Sequence, residues 1–132
     1  VSVAAAEKLL LDTHALLWWA TADRALSRKV RRAIEDEATV VVVSAATAWE
    51  IATKVRLGRL RWARPGSLES YCAEQGFEIL PISFAHAERA GSWREAHGDP
   101  FDRMLAAQSA IEGIPLATND AKLAAFGVET VW

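Results

Sequence analysis

One cysteine, Cys72, stands among 132 residues, so no internal disulfide can form and the thiolates of a structural zinc site are missing. Three scattered histidines, His14, His86 and His97, do not restore such a site. No stretch approaches the roughly 18 apolar residues of a membrane span. The longest run, "ATVVVVSAATAW", is broken by serine and threonine. Charge of one sign is also lacking: 15 basic and 17 acidic residues leave a formal net charge of -2. That balance argues against a protein whose whole surface grips nucleic acid. Internal repeats, low-complexity tracts and linkers are absent, so one domain over residues 1–132 is expected. The start, "VSVAAAEK", is too short for a secretory signal, and a soluble, cytoplasmic protein without a membrane partner is the expectation.

What is present looks globular. The chain is 52% hydrophobic and 24% charged, and a domain of this size buries about two thirds of its unfolded surface. Apolar runs bounded by turn residues predict strands at 8–12, 39–44, 78–82, 115–118 and 128–132. The four valines of "TVVVV" do not alternate with polar residues, which predicts a strand covered on both faces. Helical spacing predicts helices over 26–37, 45–57, 66–75, 84–96 and 100–112. Ser44 is a candidate N-cap for the second, which stops at Gly58. Asp99, Pro100 and Gly113 frame the last. Alternating strands and helices imply an α/β fold in three layers, a mostly parallel sheet of about four or five strands flanked by helices with right-handed crossovers.

In such a sheet the ligand crevice lies outside the carboxyl ends of the strands. Asp12 ends the first strand in "LLLDTH", and "PLATND" repeats the arrangement with Thr118, Asn119 and Asp120. Glu50 follows Ser44 by about 9 Å of helix, off the apolar stripe. Asp99 and Asp102 open the helix at "GDPFDR". Acids from four segments thus meet at one edge, where they repel unless a cation offsets them. Oxygen ligands suit Mg²⁺ or Mn²⁺, ions used to activate water against phosphodiesters. Each acid also has an ordinary structural role: Asp12 a turn, Asp99 and Asp120 helix caps, Asp102 a partner of the helix dipole, Glu50 an ion pair with Lys54. Only their joint placement weakens those readings. Two basic clusters stand out: Arg28, Lys29, Arg31 and Arg32, then Lys54, Arg56, Arg59, Arg61 and Arg64. Solvated helix faces are their simplest reading.

The segments "LLLDTHALLWW", "SAATAWEIATKVRLGRL", "HGDPFDRMLAAQSAIEGIPLATND" and "VETVW" resemble the PIN-domain ribonucleases, and among them the VapC-type toxins of bacterial toxin-antitoxin pairs. The resemblance runs from Leu9 to Trp132, and its short motifs become specific through their order and spacing. It implies a PIN-like fold with a Mg²⁺ or Mn²⁺ site made by Asp12, Glu50, Asp102 and Asp120. It leaves Asp99 as the cap and Thr118 and Asn119 as supporting polar residues. The activity it implies is metal-dependent cleavage of RNA, tRNA or ribosomal RNA being the usual targets. It also implies a cognate antitoxin and a homodimer. Two features agree with that: the second basic cluster begins on the helix of Glu50, putting Lys54, Arg56, Arg59 and Arg61 near passing phosphates. Trp18 and Trp19 cannot both face inward on one helix, so one is a candidate antitoxin anchor, the other reading being two partly buried core residues.

Rival readings are weaker. Asp12-Thr13-His14 matches the D-x-H opening of binuclear metallophosphatases, but His86 and His97 do not supply their further motifs. A haloacid-dehalogenase-like phosphatase wants an aspartate where His14 stands. A receiver domain wants an acid pair and an aspartate where "TVVVVS" ends in serine. A binding module with its acids as caps completes the set.

Overall fold

The computed structural model describes residues 7–94 and 97–132. Twelve elements follow one another: β1 (Glu7–Leu11), α1 (Thr13–Ala20), α2 (Arg28–Glu35), β2 (Thr39–Ser44), α3 (Ala45–Arg56), α4 (Leu68–Gln75), β3 (Glu78–Leu80), α5 (Phe84–Ser92), α6 (Pro100–Glu112), β4 (Leu116–Ala117), α7 (Ala121–Ala124) and β5 (Thr130–Val131). The strands form one sheet in the order β3-β2-β1-β4-β5. Among the described residues every pairing is parallel, in line with the expected mostly parallel sheet. No described helix is long and apolar enough to cross a membrane.

Alternation along the two central strands divides the core. Leu9, Leu11, Val41 and Val43 turn to one face, where they pack with Ala15 and Leu16 of α1, Val30 and Ile34 of α2, Ile51 of α3 and Tyr71 of α4. Leu10 and Val42 turn to the other, against Leu105 and Ala106 of α6 and Leu123 of α7. Successive strand side chains point to opposite faces, so a strand buried on both must be apolar at every position. That is why leucines and valines run unbroken. β1 pairs with β2 from Glu7↔Thr39 to Leu11↔Val43.

All seven described helices start on a serine or aspartate whose side chain accepts a first-turn N–H. These caps set the boundaries. The helix expected over 26–37 begins after Ser27 and that over 66–75 after Ser67. The helix expected over 84–96 stops at Ser92, because Trp93 takes extended backbone (ψ 130°); residues 95–96 lie outside the described ones. Strand 78–82 ends at Leu80, ahead of Pro81, which has no N–H for a ladder. Strands 115–118 and 128–132 shorten to two residues each. The chain after α6 turns on Gly113, in the left-handed region at φ 66°, which favours glycine.

Candidate active site

β1 lies between β2 and β4, the point where strand order reverses and a crevice opens at the carboxyl edge. Asp12, Glu50, Asp102 and Asp120 all line one cavity of about 290 Å³ at this edge, with Asp99, Asn119 and Lys54. Four stretches far apart in the chain supply them: the end of β1, the middle of α3, the start of α6 and the turn after β4.

Each side chain is fixed locally. Asp12 caps α1 by accepting the Ala15 N–H at its Oδ1 (2.7 Å). It is 5% exposed. Burial pushes its carboxyl above the usual aspartate range, against the lowering effects of the Thr118 hydroxyl, the Ala15 N–H and His14, while the charge of Asp102 adds to the rise. Glu50 is buried at 4% exposure rather than solvated. The Thr13 hydroxyl donates to its Oε1 (2.6 Å) and the Lys54 ammonium to its Oε2 (2.5 Å). The ion pair anticipated for a surface glutamate is therefore present, in a buried setting. Asp99 Oδ1 accepts from the N–H groups of Phe101 (2.9 Å) and Asp102 (3.0 Å), which makes it the cap of α6. Asp102 is pushed up by burial and by the nearby charges of Asp99 and Glu50, opposed by His97. Asp120 caps α7 through the Lys122 N–H (2.9 Å), and its own N–H donates to the Thr118 hydroxyl (3.1 Å). Thr118 is buried under the edge, whereas Asn119 lies on the cavity wall.

Two participants escaped the sequence reading. Thr13 holds Glu50, and the available signal was a hydroxyl directly after the strand-end acid. His97 Nε2 lies 2.8 Å from Asp102 Oδ2. His97, Asp102 and Asp120 each offer a ligand atom, all within 4.8 Å of one another. Its signal was position alone, two residues before the capping aspartate in "HGDPFD".

A larger groove of about 800 Å³ joins this cleft and shares Thr13, His14, Trp18 and Lys54 with it. Lys54, Arg59, Arg61 and Arg64 line it. Arg56 is exposed outside that lining. Arg64 is already engaged, donating to the Ala20 carbonyl (2.7 Å) and lying over the Tyr71 ring. Trp18 and Trp19 are both partly buried against the core, the second of the two readings offered for them. Trp18 packs on Trp132, and the Trp19 indole N–H donates to Gln75 (3.0 Å).

A crevice at a sheet's switch point, walled by acids from four segments, defines an α/β protein with an acidic cleft of the kind that suits a cation. The chain matches the PIN domain family model over residues 9–129, and it belongs to that family. Solved structures with the same fold include VapBC2 from Rickettsia felis, bound to a promoter DNA fragment, at 15% identity and TM-score 0.65 over 92% of each chain. A toxin-antitoxin complex from Klebsiella pneumoniae shows 21% identity and TM-score 0.61 over 89% of this chain and 90% of that one. FitAcB from Neisseria gonorrhoeae shows 21% identity and TM-score 0.58 over 94% and 96%. No curated protein sequence matches the chain. PIN domains are generally nucleases.

Proposed function

We propose that this PIN domain is a VapC-type toxin, a cytoplasmic endoribonuclease dependent on Mg²⁺ or Mn²⁺ and restrained by a cognate antitoxin. The observation that carries the reading is the meeting of Asp12, Glu50, Asp102 and Asp120 in one cleft, two of them held above the ordinary carboxylate range. Buried like charges of this kind cost stability unless a cation joins them, and an all-carboxylate set fits a hard divalent ion. Asp12, Glu50, Asp102 and Asp120 would hold it. When bound, such an ion supplies charge stabilisation at a phosphodiester and lowers the pKa of water beside it.

The protein's own groups do the positioning. Thr13 fixes one oxygen of Glu50, and Asp99 fixes the start of α6 so that Asp102 stays at the cleft. Lys54, Arg59 and Arg61 give the adjoining groove the positive charge that an RNA backbone requires. The similar fold of a chain from a toxin-antitoxin complex supports an antitoxin partner, and a homodimer and a tRNA or ribosomal RNA substrate complete the proposal.

The test is incubation of purified protein with total cellular RNA, with cleavage ends mapped, beside Asp12→Asn and excess chelator. Discrete ends from the wild type alone support the reading. Cleavage that survives both the substitution and the chelator overturns it, and wild-type protein that cuts no RNA while stabilised by Mg²⁺ favours another phosphohydrolase on this fold.

A further inference from the structure

We infer that His97 is a nitrogen ligand of the cleft's cation, shifting its preference from Mg²⁺ toward first-row transition ions; this rests on the cleft being a metal site. Among the described residues, His97, Asp102 and Asp120 are the one group of three metal-ligating side chains whose donor atoms lie within 4.8 Å of one another. Ligands bonded to one ion at about 2.1 Å stand at most about 4.2 Å apart. An adjustment of about 0.6 Å or less in the widest separation therefore brings this set within that limit.

The imidazole is held beside Asp102, at the margin of the cleft that Asp102 and Asp120 line. Arg103, one residue after Asp102, donates to the carbonyls of Ala90 (2.7 Å), His97 (2.8 Å) and Trp93. Trp93 and His97 are thus tied to the helix that carries Asp102. The His97 ring also lies 6.0 Å from that of Phe126. Its Nε2 lies at hydrogen-bond distance, 2.8 Å, from Asp102 Oδ2. Neutral imidazole is softer than carboxylate: magnesium gains little from it, whereas affinities from Mn²⁺ through Co²⁺ rise with nitrogen donation.

A purely orienting role for His97 predicts something different, and His97→Gln separates the two. A glutamine amide nitrogen approximates the position of Nε2 and can still donate to Asp102 but is a poor ligand. Binding isotherms for Mg²⁺, Mn²⁺ and Co²⁺ should show Co²⁺ affinity falling about tenfold or more, with Mg²⁺ affinity nearly unchanged. The electron spin echo of bound Mn²⁺ should carry nitrogen modulation from imidazole in the wild type and lose it in the variant. His97→Asn, whose shorter amide falls short of Asp102, and thermal unfolding of each variant control for folding. Equal losses for Mg²⁺ and Co²⁺, or a wild-type echo without imidazole modulation, overturn the ligand assignment while leaving the metal site standing. Wild-type protein that binds none of the three ions overturns the metal-site reading and this assignment with it.

Discussion

An N-cap needs only an oxygen, and serine supplies it for four of the seven described helices. Aspartate supplies it for the other three, and all three, Asp12, Asp99 and Asp120, line the acid cleft. The charge is therefore surplus to capping, and it is gathered at the cleft. Asparagine keeps a cap while removing the charge, so Asp99→Asn should leave RNA cleavage largely intact; a loss as complete as that in Asp102→Asn would make Asp99 a ligand. Asp99→Ala should cost about 1 kcal/mol in denaturant unfolding. Asp12 gives a pH-dependent counterpart. Its carboxyl is raised in the folded protein, so the fold holds that proton more tightly than the unfolded chain does. Stability from this group is then full at acid pH, falls as pH climbs through the ordinary aspartate range, and stays reduced above the raised value. Ion-free Asp12→Asn should therefore melt a few degrees above the wild type at pH 8, with the advantage shrinking toward pH 4. Added Mg²⁺ should stabilise the wild type and not the variant. Matching melting curves at both pH values would contradict the burial argument.

Elements were legible wherever a cap and a stripe coincided. α6, framed by Asp99, Pro100 and Gly113, occupies the residues expected from sequence, as does β2 with its valines. The short strands β4 and β5 were placed correctly but drawn too long, because apolar residues continue past the point where pairing stops. Long-range polar contacts left no periodic mark at all. Ser44, at the junction of β2 and α3, caps α3 through the Ala46 N–H (2.9 Å) and donates to the buried Gln108 Oε1 on α6 (2.5 Å). One hydroxyl thus joins the helix of Glu50 to the helix of Asp102 across the sheet edge. Ser44→Ala removes the cap and strips the Gln108 oxygen of that donor, which should cost about 1–3 kcal/mol in denaturant unfolding. A change below about 0.5 kcal/mol would mean that this hydrogen bond is dispensable.

At the scale of the whole molecule the four acids were legible because parallel topology sends strand ends and helix starts to one edge. His97 was not, since a lone loop histidine has no spacing to betray it. The basic groove shows why net charge misleads: a chain at -2 gathers Lys54, Arg59, Arg61 and Arg64 along one cavity. The double variant Arg59→Ala/Arg61→Ala should weaken RNA binding across sequences. It should also flatten the dependence of log affinity on log salt by about 0.7 for each phosphate that is no longer neutralised. An unchanged slope would place the RNA elsewhere.

Three consecutive leucines carry a cost that the charges at their two ends, Lys8 and Asp12, remove. Leu9, Leu10 and Leu11 are interchangeable in chemistry, and so are the valines they face. Sliding β1 by one residue would still present leucine to both cores, and greasiness alone cannot tell the right alignment from the wrong one. The ends can. One slip carries Asp12 into the place of Leu11, which is 0% exposed, and the opposite slip carries Lys8 into that of Leu9, which is 5% exposed; either buries an unpaired charge. Asp12 therefore counts the strand as well as walling the cleft. Replacing it with leucine would blank the site and, at the same time, erase one of the two marks by which the strand finds its own position.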